Sequence, residues 1–159
     1  MRPARFPVVS LILCLVVCFA AAAIGSAATL PAIPTWYQGL AKPVFNPPNW
    51  LFGPVWTLLY TMMAVALWRI INRSAGNTRR IAVVIFAVQL VLNAAWSVVF
   101  FGLNSILGGL VVIVLLDIAI VGTIARFGRI DRLAGWLLVP YVVWVSFAAV
   151  LNLAIFILN

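Results

Sequence analysis

The sequence predicts an all-α integral membrane protein, a bundle of five transmembrane helices. Three observations predict it. The chain is 67% hydrophobic and only 8% charged, against roughly 45–50% and 25% in soluble domains. Its apolar residues fall into five runs, each near the ~20 residues that cross a bilayer as a helix. Its basic residues stand at the ends of those runs rather than inside them. At 159 residues the chain has room for one membrane domain, 1–159, and no second.

The first run, FPVVSLILCLVVCFAAAAIGSAA, gives a helix over about 6–28, preceded by Arg2 and Arg5. A signal peptide cleaved near Gly25-Ser26-Ala27 fits the same stretch, but the run exceeds the usual apolar core of about 7–15 residues and favours a retained helix. Residues 29–46, with Pro31, Pro34, Gly39 and Pro43, read as a loop. Connections this long are often lids or binding segments. The second helix, about 47–72, begins at Asn46-Pro47-Pro48: Asn46 can cap the first turn, and proline is tolerated where N–H groups lack helical partners. Pro54 inside it should kink it. NRSAGNTRR, 72–80, is a turn. Helices over about 79–101 and 105–126 follow, joined by a tight turn at Gly102–Ser105. RFGRIDR, 126–132, is the last loop, and a helix over about 133–158 contains Pro140.

Five spans put Arg2, Arg5, Arg69, Arg73, Arg79, Arg80, Arg126, Arg129 and Arg132 on one side, and only Lys42 on the other. The positive-inside rule then makes the N-terminus cytoplasmic and turns the Pro-rich loop outward. A bacterial cell membrane is the expected setting, with an outer membrane as the alternative. The net charge of +8 is explained by this placement, so nucleic acid is not an expected partner. His is absent, and the acids are Asp117 and Asp131 alone. That excludes Ser-His-Asp and Cys-His catalysis and His-based metal sites. No catalytic residue and no metal site are expected. Cys14 and Cys18 share a helix face and read as small buried hydrophobes.

Polar and aromatic residues recur at helical spacing. Gln89, Asn93, Trp96 and Phe100 form one stripe; Trp56, Tyr60 and Met63 form another; Tyr141, Trp144, Ala148, Leu151 and Asn152 share a broad face. The predicted depths place them in the membrane half beneath the Pro-rich loop. Two readings stay open for each amide: a bond joining helices, or a cavity wall. For Trp56, Trp96 and Trp144 the alternatives are core filling and cavity lining. Together, several aromatic walls and a few amides under one lid suit a large flat ligand. Trp36, Trp50, Trp68 and Trp136 lie near span boundaries and read as interface anchors. Asp117 falls near mid-membrane, where a neutral form or a bond to a nearby Ser or Thr is expected, with a proton or ion path as the alternative. Lys42 and Gln38 can meet anionic groups at the mouth, or simply face solvent.

Trp36-Tyr37, Leu40, Lys42-Pro43, Asn46-Pro47-Pro48, Trp50, Gly53-Pro54, Trp56, Tyr60, Gln89-Leu90, Asn93, Trp96, Phe100-Phe101-Gly102, Pro140-Tyr141, Trp144, Phe147-Ala148 and Leu151-Asn152 together resemble the translocator protein / tryptophan-rich sensory protein (TspO/MBR) family. The resemblance runs in order from residue 36 almost to the C-terminus. It implies a five-helix bundle, often a homodimer, with a pocket closed by the first loop. It also implies binding of porphyrins such as protoporphyrin IX, of haem, and of other flat hydrophobic molecules, with membrane lipid around it and no required cofactor. Carried over, the pocket would include Tyr37, Pro47, Trp56, Asn93, Trp144, Ala148 and Leu151, to which the stripe on the third span adds Trp96. A membrane receptor or regulator is the leading reading. Light-dependent porphyrin breakdown through Trp56 and Trp144, or small-scale porphyrin or proton-coupled transport, are the alternatives. The sterol-recognition pattern of animal members is broken here, because Leu153 follows Asn152 and no basic residue comes after.

Overall fold

The computed structural model describes residues 7–159, and Arg2 and Arg5 lie outside them. Helix α1 runs Pro7–Ala32 and continues as a π-helical turn over Ile33–Tyr37. Helix α2 is Asn49–Arg73, and α3 is Gly76–Ser97 with a second π turn over Val98–Gly102. Helix α4 is Ile106–Ile130, α5 is Arg132–Trp136 and α6 is Val139–Leu158. Taken with their continuations, these helices make five stretches long and apolar enough to cross a membrane. Around the bundle, α1 packs on α2, α2 on α5, α4 on both α5 and α6, α3 on α4, and α1 again on α3.

Several boundaries differ from the sequence reading, each for a physical reason. The loop placed at 29–46 is helical as far as Tyr37. In an apolar setting an unpaired backbone group is too costly to leave open, so a proline in a spanning helix is absorbed by local adjustment. Here the Thr35 hydroxyl donates to the Pro31 carbonyl at 2.8 Å, and the turn around Pro34 widens to π. The connection to α2 is therefore only residues 38–48. Asn46 does not cap α2, whose N-cap is Pro48; its Oδ1 accepts from the Tyr37 hydroxyl at 2.9 Å instead. Helix α3 starts three residues early, at Gly76, which takes a positive φ of 55° at the turn. Residues 126–130 are helix, not loop, and Asp131 alone separates α4 from α5.

That tight junction depends on glycine. A Cβ on Gly135 would lie 3.0 Å from the Cα of Gly128, a backbone atom that cannot swing aside. Gly135→Ala is expected to push α5 off α4 and cost about 1–3 kcal/mol, read as a lower unfolding temperature in detergent. Gly128→Ala, whose Cβ meets nothing within 4 Å, serves as the neutral comparison.

In the half of the bundle that carries the arginines a core closes between the helices. Met63, Leu67 and Ile70 of α2, Phe86 of α3, and Leu116, Ile120 and Phe127 of α4 are buried there. Phe86 and Phe127 stack at 5.8 Å. Opposite this basic end, at the loop end, the helices part around a cavity.

Candidate functional site

The cavity has a volume of about 620 Å³ and lies between the loop-side halves of α1, α2, α3 and α6. On α1 the wall includes Phe19, Ala22 and Thr29, continued by Ile33 of the π turn; α2 supplies Phe52, Trp56 and Tyr60; α3 and its π turn supply Asn93, Trp96, Phe100 and Phe101; α6 supplies Ala148, Leu151, Asn152 and Ile155. Both π turns reach it, through Tyr37 and through Phe100 and Phe101. Such turns carry an extra residue, re-aim the side chains around them and often occur at functional sites. Among the described residues that line the cavity, none carries a charge, and none is His, Cys or Met.

Rings pave the walls. Trp56 lies 5.6 Å from Tyr60 and edge-on to Tyr141 at 6.3 Å. Trp96 stacks on Phe100 at 5.7 Å, and Tyr37 meets Phe101 at 5.5 Å.

A buried polar chain runs inward from the wall. The Tyr60 hydroxyl donates to Oδ1 of Asn93. Asn93 Nδ2 donates to the Tyr141 hydroxyl at 2.8 Å, and that hydroxyl donates to Oε1 of Gln89 at 2.9 Å. Asn152 accepts from Trp96 Nε1 at 3.3 Å and donates to the Ile106 carbonyl at 3.0 Å. Each amide therefore joins helices, and Asn93 and Asn152 also face the cavity. In a membrane such bonds hold helices in register.

Of the residues the sequence singled out, Tyr37, Trp56, Asn93, Trp96, Ala148 and Leu151 come together on the wall. Pro47 and Trp144 are not part of it. Pro47 belongs to the 38–48 connection, which contributes no wall residue among those described. Trp144 stands one ring back: it packs against Phe52 at 5.9 Å and Phe147 at 5.6 Å, and it is Phe52 that reaches the cavity. Lys42 is turned onto its own loop. Its Nζ donates to the carbonyls of Gln38 and Leu40 and sits 4.7 Å from the centre of the Tyr37 ring. Asp117 is away from the cavity and accepts from the Ser146 hydroxyl at 2.8 Å. The α1 wall was not anticipated. Its one signal in the sequence was the run of small residues from Ala20 to Ala28, which leaves space for a neighbour rather than filling it.

This ring-lined chamber in a five-span bundle can be set beside known proteins. The TspO/MBR family profile matches residues 14–158. The chain belongs to that family. The chain is 47% identical to the tryptophan-rich protein TspO of Chlorobaculum tepidum over 153 residues, covering 96% of this chain and 97% of the relative. It is 46% identical to the tryptophan-rich protein TspO of Archaeoglobus fulgidus over 135 residues, 85% and 87% of the two chains. With the human translocator protein it shares 36% identity over 119 residues, 74% and 70% of the two chains. The family match spans the helices that carry the cavity.

Proposed function

We propose that this protein is a membrane receptor or regulator that holds a tetrapyrrole, protoporphyrin IX or haem, in the cavity. One observation carries the reading: about 620 Å³ of apolar space is paved on several sides by indole, phenol and phenyl rings. Small-molecule pockets occupy roughly 300–1,000 Å³ and are mostly apolar with a few placed polar groups. A flat aromatic ligand gains offset and edge contacts with such walls. The wall offers no countercharge, so the propionates belong at the mouth. The basic end belongs in the cytoplasm of a bacterial cell and the cavity in the opposite half of its membrane, by the positive-inside rule.

The test is titration of the purified protein with protoporphyrin IX, read as saturable quenching of tryptophan fluorescence. Quenching that rises linearly without saturation would remove the reading. The walls also predict how haem behaves. The Tyr37 and Tyr60 hydroxyls are engaged by Asn46 and Asn93, and the described walls hold no other usual axial ligand. Haem and protoporphyrin IX are therefore expected to bind within about threefold of each other, because no iron bond adds affinity. Competition titration checks this, and a large preference for haem would overturn it.

A further inference from the structure

The cavity is not sealed on its membrane-facing side. Along α1, the wall-edge residues Ala23, Ser26 and Leu30 are exposed, and along α2 so are Trp50, Gly53 and Thr57. Each set follows i, i+3, i+7, so each forms one stripe down its helix. Leu30 and Trp50 are 66% and 72% exposed although they border the cavity. The two stripes therefore flank an open slot.

Bonding separates this slot from the route through the aqueous side. Among the described residues, no side-chain hydrogen bond crosses from α1 to α2 along it: Thr29 and Thr57 donate back to Gly25 and Gly53 of their own helices, both at 2.8 Å. At the basic end the same two helices are pinned, since Trp68 Nε1 donates to the Pro7 carbonyl at 2.8 Å. Phe19 and Tyr60 meet at 6.1 Å on the cavity floor. On the aqueous side the loop is tied down. Tyr37 is bonded to Asn46, and the Asn159 side chain clamps both backbone groups of Ala41, accepting from its N–H and donating to its carbonyl at 3.0 Å. Displacing the loop breaks these bonds, whereas passage through the slot breaks no side-chain hydrogen bond among the described residues.

We propose that ligands enter and leave sideways, from the lipid of the loop-side leaflet, through the slot between α1 and α2. The ligand class that follows is a bilayer-dissolved amphiphile. Its flat apolar body passes between the helices, and its acidic edge trails at the headgroup level near Trp50. This rests on the tetrapyrrole reading for the identity of the ligand but not for the existence of the route.

A plug tests it. A Cβ at Gly53 meets nothing within 4 Å, so Gly53→Phe can be carried without distorting α2 and projects into the slot. In lipid nanodiscs, Gly53→Phe is expected to slow both association and dissociation of protoporphyrin IX by about tenfold or more. Asn159→Ala, which frees the loop at Ala41, should leave both rates unchanged. Unchanged rates in the plug variant, with faster rates in Asn159→Ala, would overturn the lateral route while leaving the cavity's ligand intact. A second readout needs no ligand. Phosphatidylcholine brominated on its acyl chains should quench the fluorescence due to Trp56 (the part lost in Trp56→Phe) in the unmodified protein, and not in Gly53→Phe. If that emission escapes quenching in the unmodified protein, the slot is closed to lipid and the proposal fails, whatever the porphyrin titration shows.

Discussion

Trp56→Ala is expected to raise the Kd for protoporphyrin IX by about thirtyfold, while Trp144→Phe leaves it within about threefold. The difference follows from which indole the cavity touches. Trp56 lies on the wall between Tyr60 and Tyr141, and an anchoring aromatic in a binding site contributes about 2 kcal/mol or more, the equivalent of that thirtyfold. Trp144 reaches the cavity only through Phe52. Phenylalanine at 144 keeps a ring against Phe52 and Phe147, so the wall in front stays in place. The shift of the porphyrin Soret band on titration measures both without relying on protein fluorescence, and thermal unfolding controls for damage to the fold. Equal weakening in the two variants, or none in either, would place the ligand elsewhere.

Asp131→Asn is expected to cost about 3 kcal/mol of stability, at the lower end of what breaking a buried ion pair removes. Asp131 is only 6% exposed. Arg69 holds it through two bonds, at 2.7 and 3.2 Å, and Arg73 adds a third contact at 3.1 Å. Asparagine can still accept from the Leu133 N–H, the bond that starts α5. It cannot answer the charge of the mostly buried Arg69. The acid limb gives the sign. Burial raises the carboxyl's pKa, but the bonds from Arg69 and Leu133 and the charges of Arg69 and Arg73 outweigh it and hold the value below 3.8. A depressed carboxyl contributes in full above its unfolded pKa and loses that contribution as pH falls through its folded pKa. The unfolding temperature should therefore be steady from neutrality down to about pH 5 and drop below about pH 4. With only two acids in the chain, a shallower drop in Asp131→Asn assigns the limb to this residue. An identical limb in both proteins would remove the assignment.

The five spans were legible because hydropathy over some twenty residues is a strong signal in a chain with so few charges. Helix ends were less so. Pro31 and Pro34 read as punctuation, as they would be in water, yet inside a bilayer the backbone has no solvent to turn to and α1 runs on to Tyr37. Asn46 had the right chemistry for a cap and is used for a different bond. The stripes on α2 and α3 were readable from spacing alone, and Trp56, Asn93 and Trp96 do converge. Spacing on α6 did not reveal that Phe52 would stand between Trp144 and the cavity, because that depends on how α2 is rotated against α6. The α1 wall was the least readable part, since alanine, serine and glycine mark a cavity by what they leave out.

The polar chain through Gln89, Asn93 and Tyr141 laces α2, α3 and α6 together, and Asn152 extends the lacing to the start of α4. From Ser10 to Ala32, among the described residues, no side-chain hydrogen bond ties α1 to another span. Surrounded by hydrocarbon, two greasy helices feel little mutual pull beyond the fit of their surfaces. The chamber thus has three walls joined by side-chain hydrogen bonds and one, α1, held by packing. If a ligand occupies the chamber as proposed, α1 is the wall expected to give way to it.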